Sequence, residues 1–305
     1  MTTSLEQGYL VKGLRTDAAE LRMVPELGGR VISLRRLSSG REWCWHQPHP
    51  DWLWRNGPGD SFGASPQAGI DECVPTVAPC RVGDRDLPDH GEVWFQCWEL
   101  EPEALARQEL SATVRLAVTP FQFRRSIRVG TDGAFLFDYA LTNLGDRPEP
   151  YLWSFHPLLT LESGDRLDLP EEVRSLRLNG GLGVTISQGD VWAYPEPFPG
   201  VRLDAGELPG MPGACLKGFA GPLKTARAGI VNGLTGDRLE LAWDGSTLPF
   251  LGVWINRGHG GFHHLALEPC SGAPDSLLDA VESWRQYRVI PPGETVRWSI
   301  SVSLS

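Results

Sequence analysis

Three ionisable residues of this chain stand where a turn or a strand end aims a side chain: His90, His156 and Glu268. His156 sits in a dense apolar and aromatic run, Tyr151, Leu152, Trp153, Phe155, Leu158, Leu159 and Leu161, and Pro157 follows it at once. In a strand, side chains two apart share a face, so Leu152, Ser154, His156 and Leu158 point one way and Trp153, Phe155 and Pro157 the other. Proline gives no donor to a ladder, so the strand must end, lie at an edge or bulge there, and such places aim side chains into sites. Glu268 repeats this grammar, following Leu265, Ala266 and Leu267 and preceding Pro269. His90 lies in the turn signal Pro88-Asp89-His90-Gly91. A histidine with a carboxylate is what proton transfer at neutral pH needs, because surroundings can move their pKa values to either side of neutrality. Residue type alone also allows a plainer account, with His156 a core imidazole bonded to a backbone carbonyl and His90 a surface turn residue.

Other groups carry less. His259 and His263 are four apart, a metal-pair spacing on a helix, but Gly258, Gly260 and Gly261 argue against a helix there. The cysteines (Cys44, Cys73, Cys80, Cys97, Cys215, Cys270) show no CxxC spacing and read as reduced thiols, neither a disulfide frame nor a zinc site. Asp71 and Glu72 precede a Val-Pro-Thr-Val segment and read either as a solvated or capping acid pair or as site carboxylates.

The elements that must position these residues are strands. With 35 Gly and 25 Pro in 305 residues the chain has many turns and little room for long helices. Short strands and turns run from Glu20 to Trp45, with Gly28-Gly29 and Ser38-Ser39-Gly40-Arg41 as turns. Pro48 to Gly69 reads as a long packed loop holding Trp52, Trp54 and Phe62, and the run Val93, Phe95, Cys97 alternates as a strand. Leu110 to Leu144 is the clearest β region, with Gly130-Thr131-Asp132-Gly133 as a hairpin hinge. Strand candidates follow between Leu176 and Trp192, and Tyr194 to Pro222 reads as a second irregular loop. Asp237–Trp243 alternates, Pro249–Ile255 reads as a buried strand, Asp275 caps a short helix to Trp284, and Thr295–Leu304 is a last strand. No internal repeat or linker divides residues 1–305, which read as one domain. The net charge of −10 argues against nucleic acid or an anionic membrane as the main partner. No leader or membrane-length apolar run is present, so a soluble cytoplasmic protein is expected. Twelve tryptophans exceed ordinary use, and a few of them exposed would suit the apolar face of a sugar ring.

Three words occur in order: PDHGEVW at 88–94, WSFHPLLTL at 153–161 with GDRLDLP at 164–170, and LALEPCSGAPDSL at 265–277. With them the chain resembles the aldose 1-epimerase (galactose mutarotase) family from about Gly28 to its carboxyl end. The resemblance implies an all-β fold, a large antiparallel β-sandwich of the mutarotase-like supersandwich type with few short helices, and a site in a cleft on one sheet face. It implies that anomers of an aldose interconvert without a cofactor or metal. Glu268 would be the general base and His156 the general acid, while His90 polarises the sugar near its ring oxygen. To act as acid, His156 is expected to begin protonated, helped by a nearby carboxylate. The family's asparagine-arginine word ahead of the first histidine is replaced here by GDSFGASPQAGIDECVPTV, and its acidic sugar-gripping residue has no match. Asp71, Glu72, Trp254, Asn256 and Lys217 are the candidate substrate-binding residues in their place, and an unusual or phosphorylated sugar stays open as the substrate. Two other classes stay open: a non-catalytic sugar-binding or regulatory protein on the same fold, and a glycosidase pairing Glu268 with Asp71 or Glu72.

Overall fold

The computed structural model describes residues 1–210 and 213–305. Its strands form two large sheets, packed face to face. From edge to edge the larger, eleven-stranded sheet runs Thr2–Glu6, Tyr9–Arg15, Ala19–Val24, Arg30–Arg36, Ile70–Cys73, Ser154–Pro157, His263–Cys270, Phe250–Arg257, Ala214–Ala220, Ser175–Leu182 and Val191–Ala193. The seven-stranded sheet runs Asp165–Asp168, Arg227–Asn232, Arg238–Trp243, Thr295–Leu304, Phe135–Asn143, Phe121–Val129 and Leu110–Arg115. Neighbouring strands are antiparallel, as in the pairing of Phe135–Asn143 with strands on both sides. Period-two alternation explains the layering: Phe155, Val253, Leu265 and Leu267 of the large sheet meet Phe123, Phe137, Leu241 and Ile300 of the smaller one in a common core. The other face of the large sheet is left to loops and to the cleft described below.

Several expectations need correction. Within the stretch read as a second irregular loop, Ala214–Ala220 is a fully buried strand, third from one edge of the large sheet. Val93 to Cys97 forms turns and bends in place of a strand. Trp94 and Trp98 turn inward there, and their indole N–H groups donate to the carbonyls of Asp89 (2.9 Å) and Val93 (3.2 Å). The short helical segment begins at Leu277, and its N-cap is Ser276, whose hydroxyl accepts from the Asp279 N–H. Asp275 is thereby left for the cleft. The strand of His156 does end at Pro157, but it lies inside the sheet, between Ile70–Cys73 and His263–Cys270.

A buried polar group ties the two sheets together. The Arg125 guanidinium donates to Glu72 Oε1 (3.1 Å) and to the carbonyl of Gly29, and Tyr139 Oη donates to the same Glu72 oxygen (2.9 Å). Gly29 makes the approach possible: it has φ +63, and a Cβ there would stand 2.5 Å from the Trp98 ring. Burial raises the Glu72 carboxyl to about 7, although Arg125 and Tyr139 pull it down. This predicts an asymmetry between the partners. In urea unfolding, Glu72→Met is expected to cost about 3–5 kcal/mol, because it strands a guanidinium that cannot shed its proton. Arg125→Met is expected to cost less, because the stranded carboxyl can neutralise itself by taking a proton. The opposite order would show that the carboxyl, and not the guanidinium, is the harder group to leave unpaired.

Candidate active site

Five adjacent strands of the large sheet present residues of one parity on its outer face. Facing residues of an antiparallel pair share a side, so the register fixes the set: His156 opposite Asp71, Ser154 opposite Cys73 and Cys270, Glu268 opposite Gly252, His264 opposite Asn256, and Trp254 opposite Lys217. Above them lies a cavity of about 380 Å³ whose lining includes His90, His156, Lys217, Trp254, Asn256 and Glu268. His90 reaches it from the loop after Pro88. Its backbone is left-handed (φ 58), and its N–H donates to the Val77 carbonyl (2.7 Å). Phe62, from the long loop, stacks on the His90 ring at 3.9 Å and meets the edge of His156. The His90 and His156 rings are perpendicular, with centroids 4.7 Å apart.

Glu268 is fully buried, and its two oxygens differ. Oε2 accepts from Lys217 Nζ (2.5 Å) and Ser154 Oγ (3.1 Å). Oε1 has no hydrogen-bond partner and lies 3.9 Å from His156 Nε2. Lys217 stands two strands away and reaches across Gly252, where a Cβ would come within 3.2 Å of Lys217 Cε and 3.3 Å of Glu268 Cβ. Lys217 Nζ also lies 3.5 Å from Asp275. Burial alone would lower its pKa, but the charges of Asp275 and Glu268 outweigh that and hold it well above the ordinary lysine value. Burial, opposed by Lys217 and aided by the Glu268 charge, raises Asp275.

His156 is not protonated in the free cleft, contrary to the expectation. Burial pushes its pKa well below the usual histidine range, and the charges of His90, Lys217 and His264 add to the effect. The carboxylate meant to support it, Glu268, is already matched by Lys217.

Of the candidate substrate-binding residues, Trp254, Asn256 and Lys217 line the cavity, whereas Asp71 and Glu72 do not. Asp71 shares the face of His156, but both its oxygens accept from Arg30 Nε (2.9 and 3.1 Å), with both partners buried. Glu72 points into the core toward Arg125. Neither is free to pair with Glu268 across a glycosidic bond. Of the other tryptophans that could meet a sugar, Trp153 faces the core and Trp94 is buried behind Asp89.

The structure adds residues that the sequence reading passed over. His264 lines the cavity beside Trp45 (ring centroids 4.5 Å apart), with Asn256 Nδ2 3.3 Å from its Nε2. Burial, with His263 nearby, lowers its pKa to about 4. Asp89 and Asp275 also line the cavity. The only signal for His264 was its parity with Glu268, four residues on.

His156 and His264 are thus both held neutral, with folded pKa values below the ordinary 6.5. As pH falls through that value, the unfolded chain takes up protons that the fold refuses. The part of the stability that these two imidazoles carry is therefore complete above about 6.5 and declines down to about 4, where His264 itself titrates, while Glu72, raised to about 7, acts in the opposite direction over the same range. Between about pH 6.5 and 4 the urea midpoint of His264→Gln is therefore expected to gain on that of the native protein. Equal slopes in the two proteins would mean that His264 titrates freely in the fold.

No protein-family model matches the chain, and no curated protein matches it in sequence. Solved structures do match. A protein from Synechocystis sp. PCC 6803 superposes with a TM-score of 0.70 at 18% identity, over 100% of this chain and 98% of that one. A galactose mutarotase-like protein from Lactobacillus casei ATCC 334 gives 0.65 at 18% identity, over 97% of this chain and 100% of that one. An Escherichia coli K12 protein with the provisional name aldose 1-epimerase gives 0.67 at 15%, over 97% and 98%. Likeness of this extent at such low identity establishes the architecture: the chain has the galactose mutarotase-like fold.

Proposed function

We propose that this protein is an aldose 1-epimerase, interconverting the α and β anomers of an aldose by ring opening and reclosure. The observation that carries this reading is the convergence of His90, His156 and Glu268 in one cleft, with Glu268 Oε1 unpartnered and 3.9 Å from His156 Nε2. The tie from Lys217 and Ser154 to Oε2 fixes the carboxylate and leaves Oε1 as the base. Oε1 takes the proton of the C1 hydroxyl, the C1–O electron pair becomes a carbonyl, and the bond from C1 to the ring oxygen breaks. The ring oxygen takes a proton from His156, with His90 beside it to polarise that oxygen. Rotation about C1–C2 and return of both protons gives the other anomer. Although burial keeps His156 neutral in the free cleft, it also makes the protonated imidazole a stronger acid, so the fraction that carries a proton donates readily. Trp254, half-buried in the lining, offers an indole to the apolar face of the ring.

The substrate class follows from charge. Among the described residues the lining includes no arginine, and its one lysine is already engaged by Glu268 and Asp275. Asp89 adds a further carboxylate. A phosphorylated sugar finds no free cation here, so the reading is a neutral aldose.

Three outcomes test this. Followed by NMR from freshly dissolved single anomers, equilibration of neutral aldoses is expected to accelerate with the native protein and to slow at least about a hundredfold in Glu268→Gln. A folded Glu268→Gln protein working at the native rate would remove Glu268 as base. The native rate is also expected to rise as pH is lowered through neutrality, because the imidazolium fraction of His156 grows, and hexose phosphates are expected to be poor substrates. Preference for the phosphorylated sugar would overturn the charge argument.

A further inference from the structure

Beneath the cleft lies a cluster that proton transfer does not explain. Cys73 Sγ, one ring nitrogen of His90 and one of His156 lie within 4.8 Å of one another. Cys73 is fully buried and shares the sheet face of His156. Two independent features point to a ligand. His90 Nδ1 lies 2.7 Å from Asp89 Oδ1; a carboxylate can only accept, so Nδ1 carries a proton and Nε2 is the ring nitrogen that Asp89 leaves for a ligand. A carboxylate behind an imidazole is the support found behind metal-bound histidines. The second feature is His156, only 8% exposed, whose Nδ1 has no hydrogen-bond partner. A buried ring with an unpartnered nitrogen is costly, and a cation held by the ring's cluster nitrogen offsets part of that cost. A carboxylate stands beside the cluster as well: Glu268 Oε1 has no hydrogen-bond partner and lies 3.9 Å from His156 Nε2.

We propose that Cys73, His90 and His156 form a site for a borderline-soft divalent cation, with Zn²⁺ the best fit to a thiolate and two imidazoles, and that its occupancy arrests the epimerase reaction. Zinc takes such ligands at roughly 2.0–2.3 Å, so the three atoms need to close by about an ångström. The ion enters through the cleft between the two imidazoles. On binding, Cys73 gives its S–H proton to solvent and its sulfur lone pair to the ion. Both histidine lone pairs are then engaged, and neither imidazole can carry a proton to a ring oxygen. The arrest rests on the function proposed above; the binding does not.

Co²⁺ titrated into the full chain is the direct probe. Strong visible absorption of a four-coordinate ion is expected, with a near-ultraviolet thiolate-to-cobalt band that Cys73→Ser abolishes. By calorimetry, Zn²⁺ is expected to bind Cys73→Ser and His90→Asn at least about tenfold more weakly. Near-ultraviolet circular dichroism checks that each variant is packed, and either one suffices should the other misfold. Zn²⁺ is expected to slow anomer equilibration by the native protein and a chelator to restore it, while Cys73→Ser needs at least about tenfold more zinc for the same slowing. Weak six-coordinate cobalt absorption, or unchanged zinc affinity in the folded variants, overturns the site. Tight zinc binding without slowing overturns the arrest. If no sugar equilibrates under any condition, the epimerase reading fails, and the cobalt spectrum still decides the site.

Discussion

The pair between Lys217 and Glu268 is the interaction on which the outer face of the large sheet depends. Burying a lone carboxylate costs several kcal/mol even after relaxation, and an opposite charge repays that only at close range. Here the partner sits two strands away, and the distance is closed because position 252, on the strand between, has no side chain. One contact therefore does two things. It keeps Glu268 tolerable inside the protein, and it acts through a single oxygen, so that the other stays unpartnered beside His156. An ion pair made through both oxygens would stabilise as much and leave no carboxylate oxygen facing His156.

The strand Ile70–Cys73 meets the same difficulty with consecutive acids. Alternation sends Asp71 to the cleft side and Glu72 to the core, and each is met by a buried arginine, Arg30 and Arg125. These pairs carry no chemistry in the cleft. What they do is hold that strand against Arg30–Arg36 on one side and the smaller sheet below, while its pairing with Ser154–Pro157 sets Cys73 near the imidazoles of His90 and His156. Because Arg125 belongs to the smaller sheet and Glu72 to the larger, the position of the cleft floor is tied to the packing of the two layers.

What was legible in the sequence was local. His156 and Glu268 each declared themselves by an apolar strand and a following proline, and their faces followed from counting by two. The strands from Leu110 to Leu144 and from Thr295 to Leu304 were legible for the same reason, since one face of each packs into the core. The failures were non-local. Ala214–Ala220 is buried on both faces and shows no alternation, and the proline and glycine just before it look like loop. Asp71 and Glu72 looked available because their arginine partners lie 41 and 53 residues away in the chain. Val93 to Cys97 alternates, yet indole hydrogen bonds turn the segment inward. His156 was expected to be charged because Glu268 is near, and nothing in the sequence placed Lys217 between that expectation and the outcome.

Lys217 settles the electrostatics of the cleft in one further respect. Its ammonium is shared by Glu268 and Asp275, so it offers little to an anion from solution. Asp89, bonded to His90, is kept below the usual carboxylate range: burial acts to raise it, and the His90 hydrogen bond and charge outweigh that. With His156 and His264 held neutral by burial, the wall carries more negative than positive charge. A surface of that sign, with indole and phenyl groups around it, suits a ring that is polar but uncharged. It equally suits a small cation, and the two requirements meet at the same imidazoles. A site that keeps a histidine unprotonated to spare it a buried charge offers that histidine's lone pair to whatever acid arrives, a proton or a metal ion.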